Sequence, residues 1–381
     1  MQPGGSAPTR RLRVAIVAPS RLILGGQAVQ AERLIEGWRD DPLVEAWLVP
    51  IDPQPPRLAT RLMHVRYVRA AISESIYLPR LGRELARADV VHVFSRAYAW
   101  FLLASLPAVV AARVLQRPVL VHYHHGEAHD HLHRSRVSRA TLARVDETVV
   151  PSPYLKDVFA TFGLAARVIP NTLDATRFMF RARHRLAPRL LSTRNLDELY
   201  NVECTLRAFQ IVQRQRRDAS LTIAGSGRRE ASLRELTQRL GLSHVEFVGR
   251  LPPERMPQLF DRHDVYIQSP DVDNVPNSIV EAFASGLPVV ATAVGGVPAL
   301  TQNGRLAMLA PRDDHAALAS HVLRLLEEPA SACRLTRNAR EAAEEHAWPG
   351  VRRQWLTTYT QLHAGRLRTK ESRQPLRLSD G

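Results

Sequence analysis

Short β-branched runs alternate with longer stretches of helical period along the whole chain, the pattern of parallel βαβ units. The first series of runs is Arg13–Ala18, Ala46–Val49, Val90–Phe94, Val119–His122, Glu147–Val150 and Arg167–Ile169. A second series follows at Arg189–Ser192, Ser220–Ala224, Val245–Val248, Val265–Gln268, Pro288–Ala291 and Ala307–Ala310. Two consecutive series predict an α/β protein of two doubly wound Rossmann-like domains facing across a cleft. The pattern places the first domain at 11–174, a linker in the Arg-rich, aperiodic 175–187, and the second domain at 188–348. A C-terminal helix is expected at 349–365 and a disordered tail at 366–381. In open α/β sheets ligands bind beyond the carboxyl ends of the strands. The residues just after each run are therefore the candidates for chemistry.

The length of 381 residues suits two domains, and 45% hydrophobic with 23% charged residues suits sizeable cores. Cys204 and Cys333 are too few for a disulfide framework or a zinc site, which fits a reducing cytoplasm. The start of the chain is polar and Pro/Gly-rich, unlike a signal peptide. The longest apolar stretch, Ala97 to Val110, is interrupted by Ser105 and Pro107 and falls short of the ~20 residues that cross a bilayer. A soluble protein is expected. Lys156 and Lys370 are the only lysines, so part of the net charge of +15 reads as an Arg-for-Lys bias in composition. The rest fits an anionic substrate or an anionic membrane surface; no zinc-finger spacing or RNA-recognition signature points to nucleic acid.

After the first run, Gly25-Gly26 opens a helical pattern, where backbone N–H groups approach an anion closely; a plain turn reads the same way. Histidines 122, 124 and 125 end a buried run, with His129, His131 and His133 close behind. Metal binding, a hydrogen bond to a substrate hydroxyl and a structural role all remain open, though the spacing matches no zinc motif. The densest signal runs from Asp271 to Thr292, with Asp273 and Glu281 flanking a loop–helix junction at Asn277-Ser278. Ser278 with Glu281 reads as a capping box and Asp273 as an Asx turn, and such a helix start also receives phosphate. Arg194, just after Arg189–Ser192, has the place for a phosphate contact. Gly225-Ser-Gly227 carries little weight alone.

Together these residues resemble the family 4 glycosyltransferases of the GT-B fold, from about Arg11 to about Leu362. Carrying the likeness are Gly25-Gly26, the His124 region, Val150-Pro-Ser152 with Pro170-Asn171-Thr-Leu-Asp174, and Arg194. Phe247-Val-Gly249, Asp273 to Glu281 and Gly295-Gly296 complete it, and Trp348 opens what looks like the family's final helix, returning to the first domain. The resemblance implies a retaining, metal-independent, hexosyltransferase-like enzyme acting in polysaccharide or glycolipid biosynthesis. Its donor is a nucleotide-diphosphate sugar bound in the second domain, and its acceptor a glycan or lipid-linked sugar met by the first; no cofactor is implied. In that reading Asp273 holds donor-sugar hydroxyls, Glu281 the ribose and Arg194 the diphosphate, while His124 contacts the transferred sugar. Gly25, Gly26, Asn277 and Ser278 add to donor binding, and the loop at Arg250 and Leu251 faces the base.

Three positions depart from the family. Asp273 stands for a glutamate, Tyr200 or Asn201 for a lysine, and Val297-Pro298-Ala299 where a glutamate often follows the glycines. The competing expectation is a catalytically weak or silent GT-B protein that binds a nucleotide-sugar or a partner. The stretch from Arg57 to Arg87, with Arg57, Arg61, Arg66, Arg69, Arg80, Arg83 and Arg87 among apolar residues, predicts peripheral contact with an anionic membrane at its cytoplasmic face. A solvated helix with its apolar side on the core fits the same residues.

Overall fold

The computed structural model describes residues 10–20, 26–53, 66–174 and 177–371. The chain forms two compact units. The first takes the chain to Pro151, then Lys156–Ile169 and everything from Val351; the second takes Ser152–Leu155 and Pro170–Gly350.

In the first unit β1 (Leu12–Ala18), β2 (Val44–Pro50), β3 (Val90–Ser95), β4 (Val119–Tyr123), β5 (Glu147–Val150) and β6 (Arg167–Val168) form one parallel sheet. Its order is β2-β1-β3-β4-β5-β6. In the second, β7 (Arg189–Ser192), β8 (Ser220–Ala224), β9 (Val245–Gly249), β10 (Val265–Gln268), β11 (Val289–Thr292) and β12 (Met308–Ala310) form another parallel sheet. That order is β12-β11-β10-β7-β8-β9. All twelve strands fall on the twelve predicted runs. They are legible because helices cover both faces of a parallel sheet, so the inner strands β1, β3, β4, β10 and β11 are mostly apolar and buried, while edge strands such as β2 and β9 are less so. In each unit the order reverses direction between two neighbouring strands, β1 and β3 in one and β7 and β10 in the other. At such a reversal the flanking loops turn apart and leave room for a ligand.

Two segments differ from expectation. Residues 177–187, read as a linker, are built into the second unit through Arg183, whose side chain is 1% exposed. Its guanidinium donates to the carbonyl oxygens of His263 at 3.0 Å, Ser285 at 2.7 Å and Phe260 at 3.2 Å. Burial pushes its pKa down to about 10. The expected tail at 366 is still helix, because the last helix runs Trp348–Glu371. Extending a formed helix costs little compared with starting one. Residues 372–381 lie outside the described residues.

This last helix belongs to the first unit from Val351 onward. Its Trp355 and Tyr359 are buried against Trp38 and His92, with the His92 and Trp355 ring centres 4.6 Å apart. Arg352 Nε reaches Asp41 Oδ2 at 2.5 Å.

Candidate functional site

In the second unit the loops after β7 and β10, the strands flanking the reversal, carry Arg194 and Asp273. Arg194 Nη2 donates to Asp273 Oδ2 at 2.5 Å, and Nη1 donates to Ser278 Oγ at 3.3 Å. Ser278 in turn donates to Gln268 Oε1 at 3.3 Å, which the Tyr266 hydroxyl also reaches at 3.2 Å. Asn274 N–H donates to Asp273 Oδ1 at 2.9 Å. The Arg194 and Asp273 side chains are 11% and 13% exposed. Burial works most strongly against the Arg194 charge, but Asp273, with the Tyr200 and Tyr266 hydroxyls and Glu281, together holds the guanidinium above its ordinary pKa.

Three polar atoms at these strand ends are buried without a hydrogen-bond partner among the described residues: Arg194 Nε, Gln268 Nε2 and Ser192 Oγ. Buried polar groups are nearly always satisfied, and a water or a bound ligand can supply the partners these atoms lack.

Glycines set the two loops in position. A Cβ on Gly295, which has φ +52°, would stand 1.9 Å from the Asp273 carbonyl oxygen, and one on Gly296 2.1 Å from that of Asn274. Gly296 N–H donates to the Asp273 carbonyl at 3.1 Å. Gly225 and Gly227 do the same for the other loop, with added Cβ atoms 2.0 Å from the Arg194 carbonyl oxygen and 2.4 Å from that of Leu196. The Gly-Ser-Gly run, slight as a motif, is thus the backing of the arginine loop. Two further landmarks act on the acidic loop: Ser152 Oγ bonds Asn274 Oδ1, and Asn171 Nδ2 donates to Asn277 Oδ1 at 3.0 Å.

The capping box is not formed. The 277–285 helix has Pro276 as its N-cap, which makes no side-chain cap hydrogen bond. Ser278 lies inside the first turn, its hydroxyl drawn away to Arg194 and Gln268. Glu281 is buried on the same helix, at 8% exposure. Arg250 and Leu251 follow β9, the edge strand, two strands from β7.

In the first unit Gly26 begins the helix Gly26–Gly37, and Gln27 Nε2 donates to the Ser95 carbonyl at 2.9 Å, tying together the loops after β1 and β3. Gly25 lies outside the described residues. His124 follows β4, stacked on Phe94 with ring centres 5.3 Å apart and 4.0 Å from the ring of His122. Its Nε2 is buried without a hydrogen-bond partner among the described residues, and burial pushes its pKa down to about 3. Beneath it His122 Nδ1 meets His92 Nε2 at 3.2 Å, and His92 Nδ1 meets the Tyr359 hydroxyl at 2.8 Å. His131 is engaged by Tyr123 and Ser138. Among the described residues no group of three His, Cys, Asp or Glu side chains is arranged to hold a metal ion.

Two parallel α/β units, the second with a paired arginine and carboxylate at its sheet reversal, define a protein of GT-B architecture. The family described as Glycosyltransferase Family 4 matches residues 24–177, and that described as Glycosyl transferases group 1 matches residues 181–342. The chain is 28% identical over 326 residues to a glycogen synthase of Mycobacterium tuberculosis, covering 80% of this chain and 76% of the relative. It is 31% identical over 163 residues to the amylovoran biosynthesis glycosyltransferase AmsK of Erwinia amylovora, covering 41% and 40%. Sucrose-phosphate synthase from Thermosynechococcus elongatus shares the fold with a TM-score of 0.76 at 20% identity, over 93% of this chain and all of that one. Anabaena HepE, solved with UDP-glucose, does so with a TM-score of 0.73 at 17% identity, over 92% of this chain and all of that one. The chain belongs to the family 4 glycosyltransferases and is a glycosyltransferase.

Proposed function

We propose that this glycosyltransferase takes a hexosyl group from a nucleotide-diphosphate sugar held by the second unit. It transfers the sugar with retention of configuration, without a metal ion or other cofactor, to a glycan or lipid-linked acceptor met by the first unit. The observation that carries this reading is Arg194, buried, charged and paired, with its Nε–H unused beside the N-terminus of the 277–285 helix. As the glycosidic bond breaks, negative charge grows on the departing diphosphate. A fixed guanidinium and helix-start amides near Asn277 and Ser278 stabilise that charge without reorganising. Each Asp273 oxygen already accepts one hydrogen bond and keeps a lone pair for a sugar hydroxyl. Glu281 holds the ribose, and His124, kept neutral by burial, offers a hydrogen bond to the transferred sugar. A relative named for GDP-mannose and a neighbour solved with UDP-glucose support a nucleotide donor while leaving both bases in play. The test is a panel of UDP- and GDP-hexoses with and without EDTA, read by nucleoside diphosphate release and by the anomer formed. One donor should release its nucleotide with EDTA present and give a product of unchanged configuration. Binding without turnover for every donor would leave only a nucleotide-sugar-binding protein.

The membrane side of this reading rests on an exposed apolar stripe. Trp100, Leu103, Val110 and Val114 recur at helical spacing across Phe101–Ser105 and Leu106–Val114, with Val114 76% exposed. The adjacent helix Arg66–Arg87 buries Tyr77, Leu81 and Leu85, and the Tyr77 hydroxyl donates to the Ala104 carbonyl at 3.0 Å. Tyr77, Leu81 and Leu85 face the core while Leu78 is 48% exposed, and Arg80, Arg83 and Arg87 face solvent. Arg57 and Arg61 lie outside the described residues. Arginines beside an apolar stripe support peripheral docking on the anionic cytoplasmic leaflet; among the described residues no helix is long and apolar enough to cross a membrane.

A further inference from the structure

Arg194 is held on a third side that neither Asp273 nor Ser278 supplies. The Tyr200 ring lies against its guanidinium, with Cζ 4.3 Å from the ring centre. This is within the range at which a cation is drawn to an aromatic face. Burial pushes the Tyr200 hydroxyl up from its ordinary pKa, the Arg194 charge opposing, so the ring meets the cation as a neutral phenol.

The ring is itself fixed by its backbone. Tyr200 closes the 3-10 turn Glu198–Tyr200, and Asn201, at φ +41°, caps the following helix with its side chain. Ser269 donates to the Asn201 carbonyl at 2.7 Å, and Asp271 N–H donates to the Leu199 carbonyl at 2.9 Å. Asn201 Nδ2 donates to Asp271 Oδ1 at 3.1 Å and Asp313 Oδ1 at 3.0 Å. The turn that carries Tyr200 is therefore bound to the segment that leads from β10 to Asp273. Ring and carboxylate hold one guanidinium from two sides of one connected frame.

We propose that Tyr200 is a positioning residue for Arg194. With Nη2 on Asp273, Nη1 on Ser278 and Cζ over the Tyr200 ring, the side chain keeps Nε–H, which has no hydrogen-bond partner among the described residues, in one orientation. The arrangement presents a single, pre-oriented cation to the leaving diphosphate where a second flexible cation would otherwise share the task. A hydroxyl is not required for this; a flat π face is. The inference rests on the reading of Arg194 as the contact to the leaving group.

The experiment uses the full-length protein with Tyr200→Phe and Tyr200→Leu, and Arg194→Lys to assign the Arg194 15Nε–1H resonance. Tyr200→Phe should keep turnover within about twofold and keep that resonance slow to exchange. Tyr200→Leu fills similar space without the ring. It should lower kcat about tenfold, leave donor KM within about threefold, and broaden or shift the resonance at an unchanged melting temperature. Tyr200→Met replaces it if the leucine variant does not fold. An unaltered resonance in the leucine or methionine variant, or a phenylalanine variant as impaired as leucine, overturns the proposal. If no donor supports transfer yet the resonance responds as described, the reading of function fails and the positioning of Arg194 stands.

Discussion

Gly295 and Asp273 are in contact through the backbone alone: a Cβ on the glycine would lie 1.9 Å from the aspartate carbonyl oxygen. Space and the left-handed φ of +52° both exclude a side chain there. Gly295→Ala should therefore push the acidic loop out of place at a cost of ~1–3 kcal/mol. The expected result is a lower melting temperature together with loss of donor binding by calorimetry. An alanine variant that binds donor like the parent would show that the loop tolerates displacement.

The pairing of Arg194 with Asp273 changes what their substitutions should do. Arg194→Ala should cost at least tenfold in turnover, since a charge-assisted contact contributes ~1.5–3 kcal/mol. Asp273→Ala should abolish transfer and also lower stability by roughly 3 kcal/mol, because it strands a buried guanidinium. The double variant Asp273→Ala/Arg194→Met removes both charges, so chemical denaturation should find much of that stability restored while transfer stays absent. Additive stability losses would mean the two side chains do not act as a pair.

Glu281→Gln leaves helix packing intact and should weaken nucleotide binding more than folding. With the capping box absent, no loss of helix-start stability is expected from it. A melting temperature that falls as steeply as the affinity would assign Glu281 to structure instead.

His92 and His122 are fully buried and held neutral, burial lowering both pKa values well below 6.5. Below pH ~6.5 the unfolded chain binds protons there that the folded chain does not. Stability is complete above that pH and falls as pH drops toward the folded values. Two such groups remove about 4 kcal/mol between pH 7.5 and pH 5. Denaturant unfolding across this range should show the slope, and His92→Phe should reduce it by about one proton. A slope unchanged in that variant would place the acid sensitivity elsewhere.

Flotation tests the exposed stripe. The protein should rise with anionic vesicles and stay down with neutral ones, and changing Trp100, Leu103, Val110 and Val114 to Ser should abolish the effect. Equal recovery from both vesicle types, or none from either, removes the membrane from the proposal.

The inner strands are readable because a strand buried on both faces announces itself as an apolar run, and Arg194 and Asp273 are readable as candidates because they stand in the loops after two such runs. Other features depend on residues far apart in the chain. Arg183 is buried on carbonyl oxygens, which carry no residue identity, so its surroundings read as linker. Ser278 looked like a helix cap because local spacing allows one, whereas Gln268 and Arg194 compete for the same hydroxyl from outside the helix. The Ser152–Asn274 and Asn171–Asn277 bonds join residues more than a hundred positions apart, beyond any local pattern.

Within this sequence the first unit begins before the second and is completed after it. Trp38 and His92 are synthesised early, yet Trp355 and Tyr359, which close over them, arrive only after the whole second unit has been made. Until then the nascent first sheet carries an uncovered aromatic surface, while the second unit has its complete set of strands by Ala310. Translation that stopped at Gly350 would release a chain whose donor-side strands are all present and whose histidine-bearing half has no lid for its core.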